Sequence, residues 1–297
     1  MSDSARPPEP PEGLDLGPGP HPGTAAEWES RLRQAMDRLL QRGAPAAGEL
    51  DAVDLQVVAG SPPDLASVEV ELSGVHIGIE QVQQASAERD LFRPTDPQPI
   101  DAGRIGTLVI QAAPLLVADI PVHLHLRAER VPVQWVRDDR DNLWAVEDTR
   151  TELGEVSGEG ELRAPTDQVI AVLRERVRTE LAAEGLTLSE FDLQLSTPRP
   201  GHLHAVVDTT VRKGVLSASV QLRTRVSIDH QMVLTVQEVT ATSRNPLVGL
   251  LLRILRGRVA AFGGTRVDLN DRMPPGLHVL DVDLSVDTEL RARARFG

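Results

Sequence analysis

Two histidines one residue apart, His123 and His125, with Glu129 four positions after the second, are the residues whose types and spacing come nearest to chemistry. Imidazoles at alternate positions of a strand share a face, and two of them with a carboxylate can hold a divalent metal. His202 and His204 repeat the His-x-His spacing, so four histidines on two strands would meet if those strands were neighbours. The surrounding pattern offers a simpler account. Ile120, Val122, Leu124 and Leu126 alternate with His123, His125, Arg127 and Glu129, as a strand with one apolar and one solvated face requires. That alternation explains every residue, so the sequence assigns no metal ligands.

The remaining constellations are weaker. Asp138, Asp139 and Asp141 bunch within a few residues, but a calcium loop also needs a sharp glycine and a distal glutamate. A polar hairpin turn accounts for the cluster. Gly154, Gly158 and Gly160 are not followed by Gly-Lys-Ser/Thr and make no phosphate loop. No serine sits in a Gly-x-Ser-x-Gly elbow. The expectation is a non-enzyme with no catalytic residues, no metal and no cofactor.

The elements that carry these residues are read from periodicity. The 297-residue chain is 40% hydrophobic but only 2% aromatic, so its core is aliphatic; it has no cysteine, which excludes disulfides and thiolate metal sites. Residues 1–163 hold 29 acidic and 14 basic side chains, and residues 164–297 hold 15 and 17. So acidic a chain is a poor nucleic-acid binder, whereas its near-neutral C-terminal half is suited to approach an anionic lipid surface. No secretory signal opens the sequence, and no run approaches the roughly 18 apolar residues of a membrane span. The expected location is cytoplasmic.

Residues 1–23 carry seven prolines and read as a disordered tail. Helical spacing predicts a helix over about 24–42 through Trp28, Leu32, Ala35, Met36 and Leu39. Period two then takes over: Val68, Val70 and Leu72 alternate, and the phase slips at Ser73-Gly74. Residues 81–103 read as loop, with strand character returning around Ile105–Ile110. A hairpin over Val131–Val146 follows, and 148–163 is a last strand or a connector. A second helix is expected over 165–184, stopped by Gly185. After it, Leu203–Val211, Leu216–Ile228 and Met232–Val236 alternate.

Asn245 and Pro246 open a third helix, 246–262, apolar over more than half its circumference. Beyond Pro274-Pro275 comes the longest alternating run. Leu280, Val282, Leu284, Val286, Leu290, Ala292 and Ala294 take the even positions, with acids, then arginines, on the odd ones.

A helix leading into a meander, a second apolar helix, a Pro-Gly step and two final strands resembles the layout of tubular lipid-binding (TULIP) domains. Within that group it resembles the actinobacterial LmeA-like phospholipid-binding family. Asn245-Pro246-Leu247 and Met273-Pro274-Pro275-Gly276-Leu277-His278-Val279, leading into Asp281-Val282-Asp283-Leu284, carry the resemblance, with Ser73-Gly74-Val75 as a softer point. It covers about residues 165–297. It implies a long curved sheet wrapped on apolar helices around a groove for acyl chains. The groove wall would comprise Leu247, Leu250, Leu251, Ile254 and Leu255 with Val220, Leu222, Val226, Leu234, Val236, Leu284 and Val286.

The sequence thus leads to an α+β fold of long antiparallel strands on apolar helices. Its organisation is a tail (1–23), an N-terminal helix with a β-rich half (24–163) and a helix-β-helix-β half (164–297), the last two forming either separate units or one domain. Its expected function is non-enzymatic binding or transfer of a lipid or other hydrophobic small molecule. The alternative is a structural or protein-interaction module with no ligand.

Overall fold

The computed structural model describes residues 13–42, 53–78, 93–147, 156–214, 216–237, 240–242, 264–270 and 277–297. The N-terminal part runs β1 (Gly13–Pro18), α1 (Ala25–Arg42), β2 (Asp54–Ala59), β3 (Leu65–Glu71), β4 (His76–Ile77), β5 (Gln98–Val117), β6 (Ile120–Arg137), β7 (Asn142–Glu147) and β8 (Ser157–Pro165). Next come α2 (Thr166–Ala183), β9 (Thr187–Arg199), β10 (His202–Lys213), β11 (Leu216–Ile228), β12 (Val233–Val236), β13 (Thr240–Thr242) and β14 (Arg266–Asp268). A final hairpin, β15 (Val279–Val286) and β16 (Glu289–Phe296), completes the chain. Strand dominates, as the α+β expectation requires. None of the described helices is long and apolar enough to cross a membrane.

The first sheet has the order β15-β16-β8-β6-β5-β3-β2, with β4 beside β5, β7 beside β6 and β1 beside β7. Its pairs are antiparallel, as expected for most of the strands, except β3 and β4, which run parallel to β5 and make the sheet mixed. The β5–β6 hairpin is its spine. Ala118 and Asp119 both adopt positive φ, 49° and 64°, the geometry of a two-residue turn whose twist matches the flanking strands.

The sheet changes phase along one line. Leu65, Ile105, Val133 and Trp135 reach the core from odd positions, whereas Val68, Val70, Leu108, Ile110 and Leu124 reach it from even ones. The switch falls at Ala66, Gly106 and Arg130, where the regular pairings skip and Arg130 takes a φ of 58°. A side chain at Gly106 would stand 2.6 Å from the Ala66 carbonyl oxygen, so glycine is the residue that admits this close approach.

Helix α1 packs on β2 and β1, with Trp28 and Ala35 buried in the core and Leu32 and Met36 beside them. Its start is a capping box. Thr24 Oγ1 accepts from Glu27 N at 3.3 Å, while Glu27 Oε2 accepts from the N–H groups of Gly23 and Thr24. Helix α2 ends in a Schellman motif, with Gly185 at φ 70° and Leu186 N donating to Leu181 O at 2.9 Å. Leu181 and Leu186 then pack with Val211 under the second sheet, whose order is β14-β12-β11-β10-β9 with β13 on β11.

Several expectations are corrected. The tail expected to be disordered through residue 23 is ordered from Gly13: β1 pairs with β7, Gly13 opposite Val146, and Leu16 is buried. Pro18, the one proline in β1, costs it little, because it is the strand's last residue and the strand lies at a sheet edge. The loop expected through residue 103 gives way to strand at Gln98, since β5 is paired along its length by β6 despite Pro99. Strands β2 and β14 were not expected. The division at residue 163 does not separate the sheets, because β16 pairs with β8 and the last hairpin joins the N-terminal sheet. The helix expected over 246–262 lies outside the described residues.

Candidate functional site

The apolar face of the first sheet runs past the part that α1 covers. In one row Ala112 of β5 faces Leu124 of β6, Leu124 faces Leu162 of β8, Leu162 faces Ala292 of β16 and Ala292 faces Leu284 of β15. In the next row Ile110, Leu126, Gly160, Ala294 and Val282 follow one another. Under α1 this face is buried: Val70 is 7% exposed and Ala112 2%. Toward β15 it opens. Leu162 is 43% exposed although its strand is paired on both sides, and Leu126, Val282, Leu284 and Ala294 are half-buried.

Small residues make this open part a trough. Gly160, Ala292 and Ala294 form its floor, with Leu124 and Leu126 along one side and Val282 and Leu284 along the other. A Cβ placed on Gly160 would meet one atom within 4 Å, the His125 carbonyl oxygen at 3.9 Å. The three inter-strand steps from β6 to β15 give a width of about 14 Å. Sequence reasoning missed the β8 residues. The signal was there: Gly158, Gly160, Leu162 and Ala164 alternate with Glu159, Glu161 and Arg163.

The opposite face of these strands is charged and internally paired. Glu161 lies 3.3 Å from the Nε of Arg163, 3.3 Å from that of Arg291 and 3.1 Å from that of Arg293. Arg295 pairs with Asp281 at 3.0 Å, and Arg127 with Glu129 at 3.0 Å. Exposed pairs of this kind contribute about 0–1 kcal/mol each, so their role is to solvate the face and fix register. A cleft of about 520 Å³ lies beside Gln111, His123, His125, Glu161 and Arg163. A second, of about 630 Å³, is lined by Pro200, by Asp281, Asp283, Arg293 and Arg295, and also by Gly160, Val282 and Ala294.

The histidines do not converge on a metal. His123 faces Arg163 and His125 faces Glu161 in the first sheet, whereas His202 and His204 lie on β10 in the second. Among the described residues no three His, Asp or Glu side chains gather as a metal site. His202 titrates below its ordinary range through desolvation and the nearby Arg199 and His204. The Asp138 cluster is a hairpin turn. Asp138 accepts from Arg140 N and Asn142 N at 2.9 and 2.8 Å, and from Asn142 Nδ2 and Trp144 Nε1 at 3.0 and 2.9 Å.

The expected groove residues divide between the sheets. Val220, Leu222 and Val226 share one face of β11; Val226 faces Val236, and Leu234 faces Ile228. Val220 is buried and the others are half-buried. Leu284 and Val286 stand on β15 in the first sheet, and β15 lies against β9 and β10 of the second. Leu247, Leu250, Leu251, Ile254 and Leu255 lie outside the described residues. Comparisons with protein-family models, with curated proteins and with solved structures give no match.

Proposed function

We propose that the protein binds a lipid or another hydrophobic ligand, without catalysing its conversion, along the apolar trough of β6, β8, β16 and β15. The observation that carries this reading is Leu162, a large aliphatic side chain 43% exposed on an interior strand over a floor of glycine and alanine. Apolar surface in such a place is stabilised by whatever removes it from water. The two rows that the strand registers set side by side hold aliphatic and small residues, which suits an acyl chain lying along the strands. A long one-sided sheet bearing helices is also what the resemblance to tubular lipid-binding domains implies, and membership of that group is part of this proposal.

Native mass spectrometry and solvent extraction of the purified protein test it. The expected result is a co-purifying acyl lipid, exchangeable for an added fatty acid and lost in Leu162→Asn. A protein that carries no apolar ligand and takes up none from vesicles returns the molecule to the structural or interaction class.

A further inference from the structure

We propose that His21 is an acid-sensitive latch: its imidazole, packed edge-on against the touching indoles of Trp28 and Trp135, holds the connector from β1 to α1 on the sheet while neutral and releases it on protonation. The imidazole lies 4.9 Å from the Trp28 ring and 5.1 Å from the Trp135 ring, edge-on to each, and the two indoles are 4.9 Å apart. Three elements thereby meet at one side chain. Trp28 belongs to the first turns of α1, Trp135 is fixed in β6 by its Nε1 donating to Pro63 O at 3.0 Å, and His21 sits in the connector.

His21 is half-buried, but its Nε2 is shut off from solvent and has no hydrogen-bond partner. A neutral ring can leave a lone-pair nitrogen there; a protonated ring would place a charged N–H donor where no acceptor stands. The charged neighbours come from each packed element. Arg31 of α1 and Arg137 of β6 repel a cation, and Arg137 Nη1 already donates to Gly19 O in the same connector. Asp101 of β5 attracts one, and the Glu27 carboxylate is engaged by the N–H groups of Gly23 and Thr24. The indole faces also attract a cation. Burial outweighs the Asp101 charge and the Pro22 backbone contact, and the ring titrates below its ordinary 6.5. A depressed folded pKa means that this contribution to stability is complete above 6.5 and is lost as pH falls through the folded value.

Release would unseat the Trp28 end of α1. Strand β6 runs from Trp135, across the phase switch at Arg130, to Leu126 and Leu124 of the open trough, so opening would lengthen the apolar surface; that last consequence alone rests on the hydrophobic-ligand reading.

Amide exchange and tryptophan emission of the full chain without ligand, between about pH 7.5 and about pH 5, test the latch. The expected result is about tenfold faster corrected exchange for each unit of pKa depression, confined to peptides spanning 19–28, with far-UV dichroism unchanged. His21→Phe, which fills the pocket and takes no proton, abolishes the response. His21→Gln and direct NMR titration of the wild-type His21 ring serve if that variant does not fold. An acid response unchanged by these substitutions, or a His21 ring titrating at or above 6.5, overturns the proposal. Opening on acidification without uptake of a fatty-acid probe keeps the latch and removes the ligand reading.

Discussion

Leu162 of β8 lies directly opposite Ala292 of β16, and this small partner helps leave the leucine 43% exposed. The pair separates ligand binding from folding. Leu162 has much of its side chain in water already, so Leu162→Asn should cost about 1 kcal/mol, below the roughly 1.5–3 kcal/mol of a fully buried leucine. Affinity for a fluorescent fatty acid should fall about tenfold, the equivalent of roughly 1.4 kcal/mol. Ala292→Leu should fill the trough floor and weaken the same probe while leaving the urea midpoint unchanged or raised. Equal loss of stability and affinity in both variants would make Leu162 an ordinary packing residue.

Gly158 should tolerate no side chain. A Cβ there would run into the Phe296 ring and stand 2.5 Å from the Arg127 carbonyl oxygen. Gly158→Ala should destabilise by about 1–3 kcal/mol, the usual cost of forcing atoms into a packed site. Adding Phe296→Leu should recover only part of that in urea denaturation, because the backbone oxygen remains. Complete recovery would place the whole conflict at the ring.

Much of the fold was legible because its strands are one-sided. The alternation of Val282–Phe296, of Ala218–Ile228 and of Ile120–Glu129 specified strands and faces, and Thr24 and Gly185 marked helix ends; at Leu280 the face is reversed, because the register shifts between Val279 and Asp281 and leaves Val279 buried and Leu280 exposed. Legibility failed where pairing overrides local pattern. Gln98–Gly103 contains Pro99 and Gly103 and reads as loop, yet β6 holds it in the sheet. Gly13–Pro18 reads as tail, yet Leu16 finds a buried place beneath α1. The trough was illegible for a related reason. Its floor is glycine and alanine on β8 and β16, and small residues carry little hydrophobic signal, while the larger leucines and valines of the chain drew attention instead. Which strands adjoin β8 is a matter of topology, and no local pattern announces that the last hairpin returns to it.

The capping box makes α1 a test of local against tertiary stabilisation. Thr24→Ala removes the acceptor for Glu27 N and should cost about 1 kcal/mol. Glu27→Ala removes the acceptor shared by Gly23 N and Thr24 N and should cost a similar amount. The two form one reciprocal unit, so the double variant should cost less than the sum in thermal denaturation. Strict additivity would mean that Trp28 packing alone fixes the start of the helix.

Asp138 should set part of the acid limb of stability. Burial pushes its carboxyl upward, but hydrogen bonds from the Asn142 side chain, Trp144 Nε1 and the backbone of Asn142 and Arg140 together hold it below its ordinary 3.8. A depressed folded pKa contributes stability that is fully present above the unfolded value and disappears as pH falls through the folded one. Wild-type protein should therefore lose stability below 3.8 with a component absent from Asp138→Asn. At neutral pH that variant should already be weaker, because its amide offers one oxygen where the carboxylate uses both: Oδ1 for the two turn N–H groups and Oδ2 for Asn142 and Trp144. The emission of Trp144, buried beside the turn, gives a local readout. Coincident acid profiles for the two proteins would assign that limb to other carboxylates.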